Sequence, residues 1–323
     1  NITLNLVGGK NLAWQDRQAE SFTVSALHSG SYCVGYRDSR VYGLNNNDQA
    51  ITLGTALAIS GAAASPNMGY YSSTFVTFLL ALFNVRLGWW LGNPGIAGNG
   101  KWGRSTYDTA GPRLAARPIL AETFGLTDDE HPYVYLSDGG HFENFGLYEM
   151  VLRRCHFIVV SDGSADPEYS YEGLGNAVGK IRVDLGVPIK FESYLILPED
   201  DGGRGEEKRP DKLPDHKYCA VARICYTCVD ASPGVEDGYL IYIKTALSGS
   251  ESIDVYNYAQ SHPAFPHEST ADQMYSESQF ESYRELGSHM VDKICEKITV
   301  APLTIEQFFD SVQQVTGKPP ECH

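Results

Sequence analysis

The sequence has little positive charge. Its 25 lysines and arginines stand against 40 aspartates and glutamates, a formal net charge of −15. Nucleic acid, whose phosphates would be repelled, is excluded as a partner on that ground, and an anionic membrane surface is disfavoured. Also absent is any apolar stretch of the roughly 20 residues needed to cross a bilayer. The most apolar segment, residues 74–85, is too short to span and suits a buried helix, although Trp89 and Trp90 just beyond it would suit a membrane–water interface. Cysteine is sparse and odd in number: Cys33, Cys155, Cys219, Cys225, Cys228, Cys295 and Cys322 are scattered through 323 residues. That distribution does not read as a disulfide framework and favours a reducing compartment. No internal repeat is present. With 42% hydrophobic and 20% charged residues, the composition is that of an ordinary globular protein of one large or two smaller domains.

The chemistry the sequence does carry is concentrated in Tyr133-Val-Tyr-Leu-Ser-Asp-Gly-Gly-His-Phe-Glu-Asn-Phe-Gly-Leu-Tyr148. A β-rich run (Val134, Tyr135, Leu136) delivers Asp138 to the carboxyl end of a strand, where Gly139 and Gly140 permit a sharp turn. Ligands of α/β folds bind at that end of the strands. Asp-Gly is equally a plain turn signal. The run 157–161, followed by Asp162-Gly163, repeats the pattern, so Asp162 competes for a site role, with a turn beside a sheet edge as its simpler reading. A helix over 145–154 between the two strands gives the strand–helix–strand order of α/β folds.

Elsewhere, residues 1–45 alternate as strands broken by Gly8-Gly9 and by 45–48, and 49–65 are helical until Pro66 stops them. Residues 94–130, rich in Gly, Pro and Asn, form an excursion long enough to be functional or to hide helix. Beyond Asp162 the pattern predicts a helix over 173–185, a strand over 189–191 and a mobile surface loop over 198–217. It then predicts a hairpin of 218–229 and 238–244 at one edge of the sheet. The tail forms an amphipathic helix over 276–297 with Phe280, Tyr283, Met290 and Ile294 on one face.

Two clusters invite a metal. His216, Cys219, Cys225 and Cys228 spell H-x2-C-x5-C-x2-C, but zinc sites place such pairs on turns that make the ligands converge. Here the pair lies in a strand-like run, which would point Cys225 and Cys228 to opposite faces, so ordinary buried cysteines are expected. His262, His267, Glu268 and Asp272 are better explained by a helix-capping box over 269–272.

The blocks Leu4-Asn-Leu-Val-Gly-Gly-Lys10, the small-residue helix from Ala58 to Pro66, the strand ending in Asp138-Gly139-Gly140, and Asn144 a few residues on follow one another in order. This order resembles the second half of a patatin-like phospholipase domain over about residues 1–165. Segments 87–94 and 262–272 resemble a bacterial branch of that family. The resemblance implies a three-layer α/β/α fold around a central mixed sheet. It implies one domain, with a core over 1–195 and an edge hairpin and helical tail over 196–323. It also implies lipid acyl-ester hydrolysis by a Ser–Asp dyad, with Asp138 taking the serine proton and returning a proton to the leaving alcohol. In that scheme Gly139 and Gly140 bring the backbone close to the serine and Asn144 orients the loop. His141 either extends the dyad to a triad or is a surface histidine at a helix start. The helix 74–85 would wall the acyl site.

One departure outweighs the matches. The family's nucleophile sits in G-x-S-x-G, upstream of these blocks, and no such pentapeptide occurs in the chain. Ser60, flanked by Ala58 and Ala62, is the nearest imitation and reads as helix packing. Gly202-Gly203-Arg204-Gly205 imitates an oxyanion loop but follows the aspartate, inside the charged loop. The chain also opens at Asn1 directly in an alternating apolar run, Ile2, Leu4, Leu6. The expectation is a C-terminal portion of a longer polypeptide that lacks the part with the nucleophile elbow. Its expected partners are that N-terminal half and a lipid or other acyl ester, with contact to a membrane surface and a cytoplasmic or peripheral-membrane location. No cofactor and no metal are expected. Two alternatives stand beside this reading: a patatin-fold scaffold without catalysis, and a metal-assisted α/β hydrolase using Asp138 and Asp162.

Overall fold

The sheet that carries Asp138 is built outward from the first strand. In the computed structural model, which describes residues 1–12, 14–44, 50–63, 87–100, 105–114, 116–191, 218–269, 274–296 and 304–322, the chain divides into two compact units, Asn1–Glu149 and Met150–His323. The expected helix 74–85, Pro66, the loop 198–217 with His216 and Gly202–Gly205, and residues 270–272 of the capping box lie outside the described residues.

The first unit contains strands β1 (Ile2–Asn5), β2 (Ala19–Val24), β3 (His28–Ser31), β4 (Gly35–Asp38), β5 (Trp89–Gly92) and β6 (Tyr133–Asp138). Its helices are α1 (Trp14–Arg17), α2 (Leu53–Ser60) and α3 (Ala116–Thr123), and α4 (Leu147–Leu152) follows the Asp138 turn. The strands form one sheet in the order β4-β3-β2-β1-β6-β5, with every neighbouring pair antiparallel. Alternation along β1 predicts one apolar face, and Ile2, Leu4 and Leu6 are indeed buried in a core with Phe22, Tyr42, Ile59 and Leu136. Each such side chain contributes about 1.5–3 kcal/mol. Thr3 and Asn5, on the other face, are fully buried as well. Asn5 is satisfied there by donating to Ser137 Oγ at 2.8 Å and to the Tyr135 carbonyl at 3.4 Å. Helix α2 begins under a Thr52 cap, whose Oγ1 accepts from the Thr55 N–H at 3.1 Å. It ends at Gly61, before the proline expected to stop it. The Gly/Pro/Asn-rich excursion does contain helix: a 3-10 turn at Ile96–Asn99 and then α3.

The second unit contains β7 (Phe157–Asp162), α5 (Glu172–Leu185), β8 (Ile189–Phe191), β9 (Cys219–Ile224), β10 (Gly238–Lys244), α6 (Ile253–Ser261), α7 (Glu277–Cys295) and α8 (Ile305–Thr316). Its sheet runs β7-β10-β9-β8, parallel between β7 and β10 and antiparallel elsewhere. The architecture is therefore mixed α/β, but with two sheets in place of the single central one expected. The physical reason lies in β6. Both its edges are occupied, by β1 and by β5, which leaves no free edge for β7 to pair with. The strand–helix–strand order is present in the chain, yet β6 and β7 belong to different sheets.

Three local expectations are also corrected. The β9–β10 pair forms, but β10 is an interior strand rather than an edge, consistent with the complete burial of Leu240, Ile241 and Tyr242. Helix α7 buries Leu286, Met290 and Ile294 beside Gln279 and Ser282, while Phe280 points away, 64% exposed. Its cap is Ser276, whose Oγ accepts from the Gln279 N–H at 3.2 Å. Finally, Cys225 and Cys322 form a disulfide, contrary to the reading of the cysteines as unpaired. Among the described residues no helix is long and apolar enough to cross a membrane.

Candidate active site at the Asp138 turn

Strand β6 ends because its last side chain folds back onto the next turn. Asp138 Oδ1 accepts the Gly140 N–H at 2.6 Å and so caps the 3-10 turn Gly139–His141. The two glycines are required by space rather than by a left-handed backbone. A Cβ on Gly139 would lie 2.6 Å from the Asn1 carbonyl oxygen, and one on Gly140 would lie 2.4 Å from Asn144 Oδ1. Asn144 thus lies against the turn, and Asp138, Gly139, Gly140, His141 and Asn144 come together as one unit. Because the obstacle at Gly139 is main chain, Gly139→Ala is expected to destabilise the first unit by about 1–3 kcal/mol, the usual cost of overpacking. Denaturant unfolding followed at this unit measures the change.

Around the turn, the polar groups divide into satisfied and free. Glu143, buried, accepts the Phe145 and Tyr148 N–H groups at 2.5 and 3.2 Å and holds the entry to α4. Asn1 Nδ2 donates to the Glu143 carbonyl at 2.6 Å, and Thr3 Oγ1 donates to the Gly139 carbonyl at 3.2 Å. Ser137 Oγ, fully buried, sits between Asn5 Nδ2 and His141 Nδ1, each at 2.8 Å. His141, half-buried, is held by Ser137 and so extends an Asn5–Ser137–His141 chain from the sheet toward the turn. Ser60 Oγ donates to the Asn1 carbonyl at 2.6 Å, a structural contact.

Asp138 differs from all of these. It is half-buried, and apart from the Gly140 N–H no hydrogen bond reaches its carboxylate among the described residues, so Oδ2 is uncommitted. No hydroxyl or thiol among the described residues bonds it. Asp162, the competitor, is the opposite case. Its Oδ1 accepts the Ser164 N–H at 2.8 Å and the Ser164 hydroxyl at 2.6 Å, while Oδ2 accepts Tyr242 and Lys244. A carboxylate so occupied is a structural anchor with no lone pair left for a reacting group.

Burial pushes the His141 imidazole below the usual 6.5, and the Asp138 charge and the Ala63 carbonyl only partly oppose it. The folded state binds this proton less readily than the unfolded state. Its contribution to stability is complete above pH 6.5 and is lost as pH falls from there through the folded value. His131 and His267 are shifted the same way, chiefly by burial, and add to the slope. A melting-temperature series below pH 6.5 is expected to fall less steeply for His141→Gln than for the parent chain.

A cavity of about 1370 Å³ in the first unit is lined by Trp90, Asp108, Arg113, Arg117, His131 and Tyr133 among others. It adjoins the start of β6, whereas Asp138 ends that strand, about 17 Å away at the usual rise per residue. The cavity and the candidate base are therefore separate features. The sequence reading missed Asn5, Ser137 and Glu143. The one signal in the sequence was the polar Thr3 and Asn5 alternating with Ile2, Leu4 and Leu6. Compared with known proteins, the chain matches no family model, no curated protein and no solved structure.

Proposed function

We propose that this chain supplies the general base of a patatin-like serine acyl hydrolase. In this reading Asp138 is the base, and the nucleophilic serine and oxyanion donors lie in a segment or partner chain outside this sequence. The observation that carries the reading is the uncommitted Oδ2 of a half-buried carboxylate at the carboxyl end of β6, with Oδ1 fixed by the Gly140 N–H. The lack of any G-x-S-x-G supports placing the serine elsewhere.

The chemistry follows from that arrangement. A serine hydroxyl donates to Oδ2, and as its oxygen attacks the ester carbonyl the proton passes to Asp138. The tetrahedral intermediate collapses, the ester C–O bond breaks, and Asp138 returns the proton to the leaving alcohol. Water then repeats the sequence on the acyl-serine, Asp138 again acting as base, to release the carboxylic acid. Gly139 and Gly140 carry the turn that follows the carboxylate, and Asn144 lies against Gly140. The substrate is a lipid or other acyl ester, met at a membrane surface. No cofactor is required.

Hydrolysis of fluorogenic acyl esters by the chain together with its serine-bearing segment, with and without a strong chelator, tests this reading. Turnover that survives chelation and is lost in Asp138→Asn supports it. Turnover that needs a divalent cation favours metal-assisted hydrolysis, which the saturated Asp162 already makes poorly equipped. No turnover at all leaves the non-catalytic scaffold.

A further inference from the structure

The second unit brings three cysteine sulfurs to one place. Cys225, Cys228 and Cys322 have Sγ atoms that all lie within 4.8 Å of one another. The sequence argument against a metal here was that a strand would point Cys225 and Cys228 apart. That premise fails, because β9 stops at Ile224 and the C-x2-C pair is carried on the 3-10 turn Tyr226–Cys228. The turn closes with the Cys228 N–H donating to the Cys225 carbonyl at 3.3 Å. Turns of this kind make C-x2-C ligands converge in structural zinc sites. The third sulfur comes from 97 residues away in sequence, on the tail. Both arms are held at β8: the Cys225 N–H donates to the Pro188 carbonyl at 2.9 Å, and Lys190 Nζ donates to the Glu321 carbonyl at 3.1 Å.

A disulfide between Cys225 and Cys322 uses two of these sulfurs and has no use for the third. A metal uses all three. We propose that, when the Cys225–Cys322 disulfide is reduced, Cys225, Cys228 and Cys322 bind one zinc ion as thiolates. Cys228 is exposed, so the site lies at the surface and its fourth position is open to water. The disulfide and the metal are alternative occupants of the site. Conversion of the first to the second takes two electrons and two protons, either from two thiols, which become a disulfide, or from a phosphine and one water, which become the phosphine oxide. Zinc then displaces the three thiol protons. A soft trithiolate set suits zinc over magnesium or calcium.

The test uses the whole chain, reduced with a phosphine and freed of it under argon, then titrated with Co(II) and with Zn(II). The expected result is one equivalent bound, with the thiolate-to-cobalt charge-transfer band and the intense visible bands of tetrahedral cobalt, bleached by one equivalent of zinc. Cys228→Ser leaves the disulfide partners untouched and replaces an exposed side chain, so it keeps the fold. It should lose these bands, as should Cys322→Ser, while Cys33→Ser, Cys155→Ser and Cys295→Ser keep them. The oxidised chain should bind no cobalt here. Reduced wild-type chain that binds no stoichiometric metal, or Cys228→Ser that binds as the wild type does, overturns the proposal.

Discussion

Replacing Asp138 by asparagine is expected to lower acyl-ester turnover by roughly 10²–10⁴-fold, the usual contribution of a positioned general base, while leaving the fold intact. Asparagine keeps an Oδ1 to accept the Gly140 N–H, so the cap that ends β6 survives. What it removes is a lone pair basic enough to take a proton from a serine. Asp138→Ala would remove the cap as well and add about 1 kcal/mol of destabilisation, so asparagine is the cleaner probe. The distinguishing readout is a fall in kcat with an unchanged melting transition. A variant that loses both would mark Asp138 as structural.

The second large effect is on stability and lies in the other unit. Asp162→Ala is expected to destabilise it by about 3–5 kcal/mol, because it strands a buried lysine. Lys244 is wholly inaccessible, its Nζ 3.1 Å from Asp162 Oδ2, with Ser164 and the more distant Asp166 completing its surroundings. The same change removes an acceptor from the buried Tyr242 hydroxyl and from the half-buried Ser164 N–H. Replacing the pair together, Asp162→Leu with Lys244→Met, should recover much of the loss, since a buried ion pair is often no more stabilising than apolar residues of similar volume. Denaturant dependence of hydrogen exchange at β7 and β10 isolates this unit from the first. An Asp162→Ala chain that is as stable as the parent would show the network to be idle.

What was legible in the sequence follows from range. Local signals held: the Val134–Leu136 run into Asp138-Gly139-Gly140 did make a strand and a turn, and 189–191 did make a strand. The partners of strands were not legible. Nothing local to β6 says that β1 and β5 take both its edges, and that occupancy separates β7 into another sheet. Nor does the alternation of Ile2, Leu4 and Leu6 show that Thr3 and Asn5 are buried too, because alternation reports one covered side and cannot report two. At the site, the sequence named the five residues of the turn. It could not say that Ser137 occupies His141, or that Asp138 keeps an oxygen free while Asp162 has none, since hydrogen-bond saturation depends on residues such as Asn5 and Lys244 far away in the chain. The cysteines were misread because β9 ends at Ile224 rather than at 229, which turns a diverging pair into a converging one.

The most direct measurement is fluorophosphonate labelling of the natural protein or complex that contains this chain, wild type beside Asp138→Asn, with the labelled residue mapped by mass spectrometry. The expected result is a label on a serine outside this sequence in the wild type and none in the variant. Labelling at Ser60, equal labelling in both proteins, or no labelling in either would contradict Asp138 as the base of a serine hydrolase.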